Sequence, residues 1–139
     1  MARISAVLLA IVVLFGAVEV MAAEKDKDKD KDRNVFVCAL SRTVECVSDE
    51  GCVETTVQEM VLPRFVRIDL NAKSITSLDK EVDRTTRISS VERLNGLIVL
   101  HGTEQRGWSV AIGENSGNVT LTASGDGDGF VVFGSCINP

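Results

Sequence analysis

The stretch Gly129-Phe130-Val131-Val132-Phe133-Gly134-Ser135-Cys136 decides how the chain folds. Alternate positions put Phe130, Val132 and Cys136 on one side and Val131 and Phe133 on the other, so a strand here is apolar on both faces. Such a strand belongs in the middle of a sheet or beneath a cover. It ends in a cysteine far from the other three, Cys38, Cys46 and Cys52. A bridge from Cys136 to any of these ties the two ends of the region together and encloses every strand between them.

Outward from that strand, the chain keeps the same grammar of short runs rich in Val, Ile, Thr and Phe, cut by Gly, Asn, Asp and Ser. Residues 124–129 form a turn. Before it, Val119, Leu121 and Ala123 alternate inward, and so do Trp108, Val110 and Ile112 beyond a turn at residues 114–117. Residues 88–94 and 97–102 flank Asn95-Gly96, the dipeptide that best accepts the two positive φ angles of a type I′ hairpin. Residues 78–86 are polar and charged and read as an exposed loop. Residues 65–70 alternate, with Val66, Ile68 and Leu70 on one face and Arg67 and Asp69 on the other. A turn at residues 71–73 leads into a short partner strand at 74–78. Residues 35–40 read as a buried strand, and 43–47 as a strand returning antiparallel to it after a turn near Ser41 and Arg42.

No helical period appears in this region. Eight or nine antiparallel strands in sequence must hide their edges. The expected fold is all-β, a single small antiparallel barrel or sandwich of about eight strands, disulfide-bonded. A closed barrel sets the last strand beside the first, which favours Cys38 with Cys136 and leaves Cys46 with Cys52. A turn at Ser41 and Arg42 would instead set Cys38 opposite Cys46, so that pairing is a rival; four cysteines permit three connectivities. Zinc is not indicated, because seven and then five residues separate the first three cysteines, followed by a very long gap.

The N-terminal segment explains why disulfides are expected. Arg3, an apolar run over residues 4–18 and Val20-Met21-Ala22-Ala23 have the form of an export signal at residues 1–23, cut after Ala22 or Ala23. The apolar run is shorter than the roughly 20 residues a spanning helix needs. Residues 24–33 follow as an alternation of five acids and five bases. They bury nothing as a strand and read as a disordered, solvated spacer. The folded domain is expected over residues 34–139.

Charge and residue types narrow the chemistry. A net charge of −5 argues against nucleic-acid binding, which needs a surplus of Lys and Arg. His101 is the one histidine, so a serine or cysteine triad has little to draw on. Glu45, Glu54, Asp79, Glu81 and Asp83 show no spacing that sets two carboxylates across a cleft. Asp126 and Asp128, in Gly125-Asp126-Gly127-Asp128-Gly129, alternate as calcium ligands do but lack the later bidentate Glu. The same residues are what a tight β-connection requires. No cofactor and no metal are expected.

Gly107-Trp108-Ser109, the terminal strand and the early Cys46 and Cys52 together resemble a group of small, uncharacterised exported proteobacterial β-proteins that end in a G-F-V-V-F-G-x-C strand. That resemblance implies an exported, disulfide-bonded domain and supplies no catalytic residue. In size, export and disulfide use the chain is also weakly similar to periplasmic lysozyme inhibitors of the small eight-stranded barrel type. Those carry Ser-Gly followed two residues later by Tyr. Here Ser124-Gly125 leads to Asp126, Gly127 and Asp128, and the chain has no tyrosine.

The expected function is that of an exported, non-catalytic β-module, periplasmic or extracellular, that binds an envelope protein or ligand or supports the envelope. It would have no nucleic-acid partner and no membrane span in its mature form. The alternative is a periplasmic inhibitor of a cationic hydrolase such as lysozyme, with Asp126 and Asp128 as its binding loop. A carboxylate-dependent hydrolase is the third choice.

Overall fold

The computed structural model describes residues 33–139. The export signal at 1–23 and all of the Lys/Asp spacer except Arg33 lie outside the described residues. Asn34–Pro139 form one compact unit. Its strands are β1 (Val35–Val47), β2 (Gly51–Thr55), β3 (Phe65–Asp69), β4 (Ser74–Ser77), β5 (Thr85–Arg87), β6 (Ser90–Leu94), β7 (Leu97–Glu104), β8 (Arg106–Gly113), β9 (Asn118–Ser124) and β10 (Asp128–Ile137). No helix occurs among the described residues.

All pairings are antiparallel, in the order β5-β4-β3-β1-β10-β9-β8-β7-β6, with β2 paired to β1 off that path. The two ends of this path, β5 and β6, are separated by only Ile88 and Ser89. The Ile88 N–H donates to the Lys73 carbonyl at 2.9 Å, continuing the β4 pairing, and the Ser89 N–H donates to the His101 carbonyl at 2.8 Å, opening the β7 pairing. One stretch of chain therefore passes from one edge of the sheet to the other. The sheet curls on itself into a barrel-like form, which removes most of the exposed edge.

The central place of β10 follows from its composition. It lies between β1 and β9, with Val132 fully buried and Cys136 nearly so on the inner side. On the outer side, Phe133 is partly exposed and the Arg42 guanidinium lies 5.0 Å from its ring centre, a cation–π contact. Inner positions of neighbouring strands supply Ile68, Ile98, Leu100, Val110 and Ile112, all essentially without exposure. The Asn95-Gly96 hairpin forms as expected, with φ of 43° and 84°. The reversal from β7 to β8 is made by Gln105 alone, at φ 65°. Nothing in its residue type marks that turn.

The turn expected near Ser41 and Arg42 does not exist. β1 runs unbroken from Val35 to Val47, and the register on β10 steps from Leu40 opposite Gly134 to Arg42 opposite Phe133. Ser41 is thus the extra residue of a β-bulge. Neither Ser41 nor Arg42 adopts the positive φ that a tight hairpin needs, and the Ser41 hydroxyl donates to the Phe133 carbonyl at 3.2 Å. Gly134 makes the close approach possible, because a Cβ there would overlap the Ala39 carbonyl. The bulge changes the inward set from Phe36, Cys38 and Leu40 to Thr43, so β1 keeps facing the interior as it bends. It also divides the partners of β1: residues 35–39 pair with β3 and residues 43–47 pair with β2.

Without that turn, Cys38 cannot face Cys46. The bridges are Cys38–Cys136 and Cys46–Cys52, each between directly opposed residues of paired strands, and no cysteine is free among the described residues. Paired thiols of this kind suit an oxidising, exported environment. No helix of the described residues is long and apolar enough to cross a membrane.

The two bridges close loops of very different size, with sequence separations of 98 and 6. On the loop-entropy account, replacing Cys38 and Cys136 together by Ala costs ~5 kcal/mol and replacing Cys46 and Cys52 costs ~2 kcal/mol. Equilibrium denaturation of the oxidised proteins is expected to return that order; an equal or reversed pair of losses would contradict it.

Candidate functional site

Between β2 and β3 the chain crosses one end of the barrel in a single helical turn. Its basis is local: Thr56-Val57-Gln58-Glu59 is a capping box. The Thr56 N–H donates to Glu59 Oε2 at 3.0 Å, and the Glu59 N–H donates to Thr56 Oγ1 at 3.1 Å. The hydroxyls of Thr56 and Thr55 donate to the same Glu59 oxygen, at 2.9 and 3.0 Å. These bonds, led by the one from the Thr56 backbone, hold the Glu59 carboxyl below the ordinary glutamate range; the slight opposing effect is desolvation. The turn buries Val57 and Pro63, and the Leu62 N–H closes it on the Val57 carbonyl at 2.9 Å.

Met60, Leu62 and Pro63, carried by this segment, form one wall of a cavity of about 280 Å³ that opens at the same end of the barrel. Its apolar lining includes Leu40, Ile68, Val110, Leu121 and Phe130, and Cys38 of the long-range disulfide also faces it. Small residues leave the space. Gly102 lies opposite Trp108 on the neighbouring strand, and the indole lies where a Cβ on Gly102 would be. Ala123 is the inward residue paired with both Trp108 and Phe130. Trp108 lines the cavity, and its buried indole N–H has no hydrogen-bond partner.

The mouth is polar. Glu104 and Arg106 face each other across the Gln105 turn. The Thr86 hydroxyl donates to Glu104 Oε2 at 2.8 Å, and Arg84 Nη2 stands 3.6 Å from that oxygen. Arg106 Nη2 pairs with Asp128 Oδ2 at 2.7 Å. Arg84, Glu104 and Arg106 all line the cavity. At the other end of the barrel, Arg93 pairs with Glu114 and donates to Asn34 Oδ1 at 3.0 Å, and the Asn138 amide donates to the Val35 carbonyl at 2.9 Å.

Of the candidate site residues read from sequence, namely the four cysteines, Asp126 and Asp128, Cys38 alone enters the cavity lining, and its partner Cys136 stands beside it on β10. Cys46 and Cys52 fasten the β1–β2 hairpin. Asp126 and Asp128 belong to a tight turn in which the Gly125 N–H donates to the Asp128 carbonyl at 2.8 Å and Gly127 takes φ 80°. The Ser48 N–H also donates to the Gly127 carbonyl, at 2.9 Å. Asp128 is held by Arg106 while Asp126 is exposed at the tip. No group of three or more His, Cys, Asp or Glu gathers to hold a metal ion among the described residues. His101 alternates with the inward-facing Leu100 and Gly102 and so points away from the cavity.

Glu54 pairs with Arg42 at 3.9 Å, and Asp79 accepts the Arg64 N–H. Neither these nor Glu45, Glu81 and Asp83 line the cavity; its one acid is Glu104. Arg84 lies in the polar stretch 78–86 read from sequence as an exposed loop, whereas Glu104 and Arg106 carry no sequence signal; only the curl of the sheet brings the three together. The Thr56 capping box carried a readable T-x-x-E signal. No protein-family model, no curated protein and no solved structure matches this chain.

Because the Glu59 pKa is lowered on folding, its contribution is present above the unfolded value and is lost as pH falls through the folded one. Carboxyl-resolved NMR titration is expected to find Glu59 titrating below the ordinary glutamate range, with Thr56→Ala, which removes the hydroxyl bond and keeps the backbone one, returning it part of the way. An unshifted Glu59 in the native protein would refute the capping assignment.

Proposed function

We propose that the protein is an exported, non-catalytic binding module, acting in the periplasm or outside the cell, that holds a small and largely apolar ligand in the cavity beneath the turn at residues 56–59. The observation that carries this reading is a space of about 280 Å³ with apolar walls and a polar mouth, within an otherwise packed barrel. Ligand sites are concave and mostly apolar, with a few placed polar groups. An apolar cavity of ~150 Å³ is large enough for benzene, so this one takes a ligand of roughly twice that bulk. The non-catalytic part of the proposal draws on Glu104. It is the single carboxylate of the lining and is engaged by Thr86, whereas glycoside cleavage calls for two facing carboxyl groups.

Inhibition of a cationic hydrolase such as lysozyme is a second reading, favoured by the exposed Asp126 at the tip of the β9–β10 turn. That turn is short and pinned at Ser48 and Arg106, so it would act as a surface contact rather than an inserted loop. Loss of inhibition in Asp126→Ala, with probe binding to the cavity retained, would select this reading over the first.

The cavity reading is tested with the neutral fluorophore N-phenyl-1-naphthylamine, and Trp108, the only tryptophan of the chain, serves as an internal reporter. Saturable binding with one probe per chain and a change in Trp108 emission is expected. Ala123→Phe, which fills the space between Trp108 and Phe130, should weaken binding at least tenfold while the far-UV spectrum stays that of a β-protein. Absence of saturable binding to the native protein would overturn the proposal.

A further inference from the structure

We infer that the ligand is a single-chain amphiphile with an anionic head, its tail lying in the cavity and its head held between Arg84 and Arg106. The inference rests on the cavity being a ligand site and adds which chemistry it selects. Polarity in the lining is one-sided. Cys38, Ile68 and Val119 are deeply buried, while Arg84, Glu104 and Arg106 stand at the exposed mouth. A molecule that satisfies both ends is apolar along most of its length and polar at one tip.

The sign of that tip follows from which groups at the mouth keep spare hydrogen-bonding capacity. The two guanidinium groups of the lining are matched in charge by Glu104 and by Asp128, which pairs with Arg106, but both carboxylates are already engaged. Thr86 already donates to the Glu104 oxygen that Arg84 approaches, and the 3.6 Å separation leaves Arg84 donating no hydrogen bond. Arg106 meets Asp128 through Nη2, which leaves its other N–H groups for a further acceptor. Glu104 lies between the two arginines, paired across the turn with Arg106 and in ion-pair range of Arg84, so both guanidinium groups flank one opening. Arginine forks match carboxylate and other oxyanions in geometry as well as charge. A cationic head would meet two guanidinium groups and find both neighbouring carboxylates already engaged, and a neutral one would leave the spare N–H groups without a ligand acceptor.

Volume sets the tail. Scaling from benzene in ~150 Å³, the cavity holds on the order of ten carbons. That fits one medium-length chain and is too little for the two long chains of a membrane lipid.

The experiment is displacement of N-phenyl-1-naphthylamine from the native, oxidised protein by decanoate, decyl sulfate, decanol and decyltrimethylammonium, all below their micellar concentrations. Decanoate or decyl sulfate is expected to displace the probe at concentrations at least tenfold lower than decanol, with the ammonium weakest; the better of the two anions identifies the head. In a variant carrying Arg84→Gln and Arg106→Gln the anion-to-alcohol ratio should fall to near one. The four-ligand comparison on the native protein stands without the variant. If the probe binds but decanol competes as well as both anions, the head-group inference fails and the cavity reading survives. An anion preference unchanged in the variant would likewise overturn it. If the native protein binds no probe at all, both fall together.

Discussion

Everything in this fold depends on the pairing of the first strand with the last. β1 and β10 are opposed over ten residue pairs, and their only irregularity is the extra residue at Ser41. That bulge lets a thirteen-residue strand bend while its inner side chains stay inward, and it hands one half of β1 to β3 and the other to β2. Gly134 is its complement on β10, since any side chain there would meet the Ala39 carbonyl. The Cys38–Cys136 bridge fixes the same pairing covalently, at a place where both residues face the interior.

With one side of the barrel held in this way, the interior can be left unfilled near one end. Packing density in protein cores is normally high, and a void loses the contacts its lining would otherwise make. Here Ala123 is too small to fill it, Gly102 gives its own space to the Trp108 indole, and Met60, Leu62 and Pro63 wall one side. The polar groups at the mouth are mutually engaged, Thr86 with Glu104 and Arg106 with Asp128, which orders the opening. Exposed ion pairs of this type add little to stability. Their value is in positioning.

Local chemistry was legible in the sequence and long-range chemistry was only partly so. Asn95-Gly96 announces its hairpin because the φ angles it needs are a property of those two residues. The two apolar faces of residues 130–133 place β10 centrally for a similarly direct reason. The Ser41 bulge was invisible, since it is defined by the partner strand and by Gly134, far along the chain. For that reason the residues of β1 alone do not separate a Cys38–Cys46 pairing from the observed one. Gln105 reverses the chain without the glycine or asparagine that usually marks a positive φ. Arg84, Glu104 and Arg106 look like ordinary solvated charges until the curl of the sheet gathers them. The capping box was written plainly in Thr56-Val57-Gln58-Glu59, but a single helical turn between strands leaves no periodicity to draw attention to it.

The join at Ile88 and Ser89 gives the barrel an uneven circumference. On one side ten residue pairs and a disulfide hold β1 to β10; on the opposite side β5 meets β4 over only three pairs, with Thr86 of that strand at the cavity mouth. Local opening follows the least costly break. The β4–β5 seam beside the mouth is thus the most lightly held part of the circumference, and the β1–β10 seam, with its covalent bridge, the most firmly held.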